Sequence, residues 1–306
     1  MKINAVFEGG GVRGIALAGA VHGAMLAGIQ FDQVAGTSSG AITAAFLAAG
    51  YQGEEMKNLI LQTPFQKFLQ QSSLIRKWMY GPMLRLLWKK GLYSGHALEQ
   101  WVQEKLQAKR IRTFGDLRTN QLRIVASDIS TGKLLVLPED IEQYGFDPKQ
   151  LSIARAVRMS ASIPYFFDPV IIHPKIKDTQ RRVSFHRSCI YVVDGALLSN
   201  FPLWIFDQGV KESEHPVIGF QLVGKNEFHK REIKGPLSMM QALIETMLSA
   251  HDERYIEKNN RIRTVKIPTL GISSTQFELS TSMSMSLFQS GEDAANRFFK
   301  QWHGAH

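Results

Sequence analysis

Five residues, Gly36-Thr37-Ser38-Ser39-Gly40, constrain this chain more than any other stretch. They fit G-x-S-x-G, a tight turn between a strand and a helix that projects its central serine outward on a strained backbone. The flanks suit that geometry. Val34-Ala35 is apolar and ends a short buried strand, and residues 41–49 read as a helix stopped by Gly50. Gly36 and Gly40 let the backbone pass close to its neighbours, and the helix N-terminus favours negative charge developing near Ser38. A surface turn of glycine and serine gives the same five letters. The assignment therefore rests on what accompanies them.

Upstream, the strand Ile3-Asn4-Ala5-Val6-Phe7 runs into Glu8-Gly9-Gly10-Gly11-Val12-Arg13-Gly14, and a helix follows through Leu26. Glycines 9, 11 and 14 match the dinucleotide fingerprint G-x-G-x-x-G, with Asp32 about where a ribose-binding acid would fall. Against that reading, Gly28-Ile29-Gln30-Phe31 is short and mixed for a second strand ending in the acid. A nucleotide site also leaves unexplained a G-x-S-x-G beginning 22 residues after Gly14. Consecutive glycine N–H groups beside a helix start form a concavity that suits an oxyanion as well as a phosphate. The oxyanion reading accounts for both motifs, with Gly9, Gly10 and Gly11 as donors and Arg13 placed to hold the loop or the anion.

Farther along, Leu122–Asp128 and Lys133–Pro138 read as strands joined around Gly132, and residues 151–160 read as a helix broken by Ala161-Ser162-Ile163-Pro164. Arg155 and Arg158 on that helix are expected to face solvent. Residues 173–187 form a basic surface excursion. Ile190–Val193 is a buried strand, expected to be of parallel type, that ends in Asp194-Gly195-Ala196. A carboxylate at such a strand end points into the crevice where α/β proteins keep their sites. A strand at 217–222, a helix at 237–258, another strand at 264–268 and a last helix from about Ser282 to Trp302 complete the chain. With no repeats and no low-complexity linker, the parse is one domain.

These motifs occur in the order found in the patatin-like phospholipases: the glycine loop, the G-x-S-x-G, the block Ser160-Ala161-Ser162-Ile163-Pro164, and Asp194-Gly195-Ala196. The chain resembles that family over roughly residues 3–205. The resemblance implies a three-layer α/β/α sandwich around a mostly parallel sheet. It also implies a Ser38–Asp194 dyad hydrolysing acyl esters of lipids, with the oxyanion loop at Gly9–Gly14 and no metal or cofactor in the chemistry. Gly36 and Gly40 are the turn glycines; Gly14, Gly195 and Ala196 support the motifs. Glu8 stands where many members have aspartate, and Ala196 where plant members have glycine. The tail after about residue 205 carries no recognised pattern.

A serine hydroxyl needs a positioned base, most often histidine. The order Ser38, Asp194, then His215, His229 or His251 formally satisfies an α/β-hydrolase triad. However, these histidines lie in charged or loop-like surroundings. The oxyanion loop and turn are also closer in sequence than that fold allows, which favours the dyad. Two other classes stand beside it: a dinucleotide-binding oxidoreductase, and a non-catalytic membrane-binding module.

The second of these draws on an unusual charge pattern. Between Glu55 and Glu99 there is no carboxylate, while Lys57, Lys67, Arg76, Lys77, Arg85, Lys89 and Lys90 fall there, set against a formal net charge of +9. Aromatic and aliphatic residues interleave with them, the composition of a membrane-interface segment, so about residues 56–98 read as a basic cap contacting anionic lipid. Nucleic acid is a weaker partner because no reader motif accompanies the charge. The single cysteine, Cys189, fits a reducing compartment. With no leader-like start and no long apolar run, the expected location is cytoplasmic, peripheral to the membrane.

Overall fold

In the computed structural model, residues 1–63, 65–69, 90–175, 189–207, 215–224 and 263–302 are described, together with isolated positions 233, 235, 239, 242 and 246. The chain forms β1 (Lys2–Phe7), α1 (Gly14–Leu26), β2 (Gln30–Thr37), α2 (Ser39–Ala48) and α3 (Gly53–Gln62). It continues through β3 (Gly91–Tyr93), α4 (His96–Ala108), β4 (Leu122–Asp128), β5 (Lys133–Leu137), α5 (Ile153–Ser160), β6 (Tyr165–Phe167), β7 (Val170–Ile172) and β8 (Ile190–Asp194). β9 (Val217–Val223), β10 (Thr264–Pro268) and α6 (Thr281–Trp302) follow. Apart from positions 239, 242 and 246, the helix expected at 237–258 lies outside the described residues, as do the core of the basic cap at 70–89, most of the excursion at 173–187, and His229 and His251.

One eight-stranded sheet runs β10-β9-β1-β2-β4-β8-β7, with β5 paired to β4, and helices flank it. The first four pairings along that order are parallel. Such strands are buried on both faces, which explains the nearly unbroken apolar run of β1. Its alternate residues Ile3, Ala5 and Phe7 join the main core, whereas Val6 meets Ala35 and Leu203 on the opposite face. Phe7 stacks on Phe220 of β9 with ring centroids 4.9 Å apart.

β2 is longer than the sequence suggests, beginning at Gln30 and running to Thr37. Asp32 therefore sits inside that strand, where its carboxylate meets Arg118 at 3.1 Å. A ribose-binding acid belongs at the strand's C-terminal end. β8 is also not of parallel type: it pairs antiparallel with both β4 and β7.

The C-terminal part joins the same sheet. β9 and β10 extend the sheet beyond β1, and α6 lies along α1. That approach is close because the contact surface is small. A Cβ on Gly19 would overlap the Phe288 carbonyl, and one on Gly291 would overlap that of Ala16. Leu287 and Phe288 of α6 are buried, and Met283 packs against the same core.

Candidate active site

β2 ends at Thr37, and the next residue carries the backbone distortion of the site. Ser38 has φ 55° and ψ −122°, a region that side chains seldom occupy and that costs of order 1–3 kcal/mol. The surrounding structure holds it there. A Cβ on Gly36 would collide with Gly40, and one on Gly40 with the carbonyls of Phe7 and Glu8, so the turn closes only with glycine at both places. α2 starts immediately afterwards and points its N-terminus toward Ser38.

Sheet register brings the second group in. Thr37 of β2 lies beside Val125 of β4, and the next residue, Ala126, lies opposite Asp194 of β8. The strand order β2-β4-β8 thus brings together two residues 156 positions apart. Ser38 Oγ–H donates to Asp194 Oδ2 at 2.7 Å, with no imidazole between them. The other carboxylate oxygen, Oδ1, accepts the Ala196 N–H at 2.9 Å. Asp194 is only 1% exposed. Burial penalises its charged form and pushes its pKa up to about 7, against the opposing effect of the bonds from Ala196 and Ser38. Gly195 follows where any Cβ would strike the Val125 carbonyl.

A third serine supports the turn. Ser160, at the end of α5, accepts the Ser38 N–H at 2.8 Å and donates to the Val125 carbonyl at 2.5 Å. The sequence marks the block at 160–164, and the bond identifies what its first residue touches. Two residues earlier on α5, Arg158 is 9% exposed instead of solvent-facing. Its guanidinium pairs with Glu99 at 2.9 Å and donates to the Ser94 carbonyl at 2.8 Å. Isolated on a short helix an arginine reads as a surface residue, and only the tertiary partner explains its burial. Arg155 reaches the Ile171 carbonyl at 3.3 Å.

The glycine loop sits directly against the serine, since a Cβ on Gly9 would come 3.2 Å from Ser38 Cβ. Its N–H groups are not equivalent. Gly9 N–H donates to the Asn200 carbonyl at 3.1 Å and Gly10 N–H to Ser39 Oγ at 3.0 Å. Val12 N–H goes to the Ser274 carbonyl at 3.0 Å and Arg13 N–H to that of Gly10 at 3.2 Å. Gly11 N–H has no partner among the described residues. Gly11 has φ +56°, the left-handed region open to glycine. Arg13 Nε donates to the Gly10 carbonyl at 3.2 Å, so its guanidinium braces the loop.

Gly11, Ser38 and Ser39 open onto one largely apolar cavity. Its walls come from Ile15 and Ala18 of α1, Ile42 and Phe46 of α2, Met56, Leu59 and Ile60 of α3, and Leu98 and Trp101 of α4. Such a cavity accepts a long apolar group and presents its reactive end to Ser38. Among the described residues no helix is long and apolar enough to cross a membrane.

The sequence model of the patatin-like phospholipases matches residues 5–207. The chain belongs to the patatin-like phospholipase family. The matched span includes the serine turn, the glycine loop and Asp194, and family membership makes the chain a lipid hydrolase. The uncharacterized protein YqhO of Bacillus subtilis (strain 168) is 41% identical over 303 residues, 99% of each chain. The probable lipid hydrolase 463L of Invertebrate iridescent virus 6 is 24% identical over 216 residues, 65% of this chain and 61% of that one. Among solved structures, VipD from Legionella pneumophila shares the fold, with a TM-score of 0.58 at 18% identity over 98% of this chain and 67% of its own.

Proposed function

We propose that this patatin-like protein is a carboxylic ester hydrolase acting on the acyl esters of phospholipids or related lipids through a Ser38–Asp194 dyad. The observation that carries the reading is the 2.7 Å bond from Ser38 Oγ to Asp194 Oδ2 at the mouth of an apolar cavity. Ser38 Oγ attacks the ester carbonyl carbon while its proton passes to Asp194, and the carbonyl π electrons move onto oxygen. Within the glycine loop, Gly11 N–H is the donor left for that oxyanion among the described residues, because the N–H groups of Gly9 and Gly10 already hold the loop. One such donor is worth ~3 kcal/mol in comparable sites. Collapse of the tetrahedral intermediate breaks the bond to the leaving alcohol, which takes the proton from Asp194 and leaves an acyl-enzyme on Ser38. Water then loses a proton to Asp194 as it attacks the acyl carbon, and the second collapse returns that proton to Ser38 and releases the acid.

The competing classes lose their support in the same geometry. A pyrophosphate needs open N–H groups, yet Gly9 and Gly10 are engaged within the protein and Asp32 is paired in mid-strand. A purely membrane-binding module has no use for a strained serine on a buried carboxylate. The deciding experiment is labelling by a fluorophosphonate probe, accompanied by release of fatty acid from phospholipid. A protein that takes up no probe and releases no acid would end the hydrolase reading.

Docking on anionic membrane remains part of the proposal. Lys57 is partly committed, with its ammonium 3.6 Å from Glu54 and over the Phe288 ring. Lys67 and Lys90 are exposed, and the Lys90 ammonium lies 5.0 Å over the Tyr191 ring. Each cation near an anionic surface contributes ~1 kcal/mol, fading within a Debye length of ~8 Å at physiological salt. Lys67→Glu with Lys90→Glu should reduce co-sedimentation with anionic vesicles several-fold while sparing a soluble ester. Equal binding of wild type to neutral and anionic vesicles at every salt concentration would remove the docking role.

A further inference from the structure

The family match stops at residue 207, yet part of the cavity wall comes from beyond it. After β10 the chain bends at Leu270 (φ 54°) and Gly271 (φ 75°) and returns across the glycine loop. Thr269 N–H holds the Val223 carbonyl at 3.0 Å, and Ile272 and Ser274 are buried, so this crossing is anchored at the sheet edge. The Ser274 carbonyl accepts the Val12 N–H at 3.0 Å and occupies the space a Cβ on Gly11 would need.

Three residues on, a tight turn from Phe277 N–H to the Thr275 carbonyl at 3.0 Å delivers the Phe277 ring to the cavity. The ring is half-buried. It stacks on Phe166, centroids 5.2 Å apart and planes 15° from parallel, and meets Phe167 edge-on at 6.4 Å. Phe166 packs in turn on Tyr93 at 5.0 Å, and β3 pairs with β6 behind it. The ring is therefore fixed from one side and presents apolar surface to the same space as Ser38 and Gly11. A side chain serving only as core would be sealed on both sides.

We infer that Phe277 is a specificity-determining residue, the wall against which the acyl chain of the substrate lies. This rests on the acyl-hydrolase reading above. Because the crossing that carries Phe277 also holds Val12, the wall and the oxyanion loop keep a fixed relation. An acyl chain whose carbonyl sits at Ser38 is gauged by the ring for length and bulk. Phe277 touches the chain and not the reacting atoms, so its contribution is made equally in the ground and transition states and appears in KM.

The test compares p-nitrophenyl esters from butyrate to decanoate, below their micellar concentrations, with wild type, Phe277→Ala, Phe277→Leu and Phe277→Trp. Phe277→Ala should lower kcat/KM for decanoate about tenfold through KM, the scale of losing an apolar wall, and leave butyrate within about twofold. Phe277→Leu should fall between, and Phe277→Trp should shift the preferred chain shorter. The rate of labelling by a small fluorophosphonate should stay at the wild-type value in all three. An equal loss at every chain length, or slowed labelling, would mean that the ring merely supports the fold. An unchanged profile in both Phe277→Leu and Phe277→Trp would show that it does not meet the chain. If wild type neither hydrolyses nor labels, the acyl-hydrolase reading falls, and this inference with it.

Discussion

Ser38→Ala is expected to abolish ester hydrolysis and fluorophosphonate labelling while leaving the protein folded. Alanine keeps the Cβ and the backbone conformation at φ 55°, so the turn and its bond from Ser38 N–H to Ser160 are retained. What disappears is the oxygen that forms the acyl-enzyme in the proposed mechanism. Loss of a nucleophile removes the covalent path altogether, an effect on the order of 10⁴-fold or more where such residues act as a unit. The lost hydroxyl also withdraws one hydrogen bond that lowers the Asp194 pKa, so that carboxyl should titrate higher in the variant. Undiminished turnover would remove Ser38 from the mechanism. Labelling that persists and maps to Ser39 would show that the neighbouring hydroxyl, which accepts from Gly10 N–H, is the reactive one.

Asp194→Asn should lower kcat by roughly 10²–10⁴, the range for removing a general base, whereas His215→Ala should cost little. A loss at His215 matching that at Asp194 would replace the dyad with a triad. Wild-type kcat/KM should rise with pH through about 7 as Asp194 loses its proton. The same titration acts on stability with the opposite sense. The folded-state pKa of Asp194 lies above its unfolded value of 3.8, so between about 4 and 7 the native state binds the extra proton. Stability is accordingly highest below that window and declines as pH rises across it. At pH 8 the buried charge costs up to about 4 kcal/mol, at ~1.4 kcal/mol per pKa unit. Asp194→Asn carries no charge and should melt at a higher temperature than wild type at pH 8, with the advantage shrinking toward pH 4. A variant no more stable at pH 8 than at pH 4, relative to wild type, would mean that the carboxylate is not held at a cost.

Trading stability for reactivity is a common feature of active sites, and in the proposed dyad it takes two forms on one pair of residues. Ser38 stores backbone strain, and Asp194 stores desolvation. Each persists because rigid neighbours hold it: the two turn glycines and Ser160 at one, the antiparallel pairing of β8 with β4 at the other.

The sequence alone determined the local parts. A strand entering G-x-S-x-G with a helix behind it can close in one way, because steric exclusion at Gly36 and Gly40 acts over a few residues. The order of the glycine loop, serine turn and Asp194-Gly195-Ala196 identified the family for the same reason: each motif is a short-range solution to a backbone problem. Tertiary structure decided how those parts are used. Whether β8 runs parallel or antiparallel, that Ser160 lies under the turn 122 residues away, that Arg158 buries against Glu99, and that the loop at 269–277 crosses the glycine loop all depend on pairings between distant segments. Which glycine N–H stays open depends on them too. Asn200, Ser39 and Ser274 take the amides of Gly9, Gly10 and Val12, and Gly11 is left facing the cavity because its distant neighbours satisfied the others.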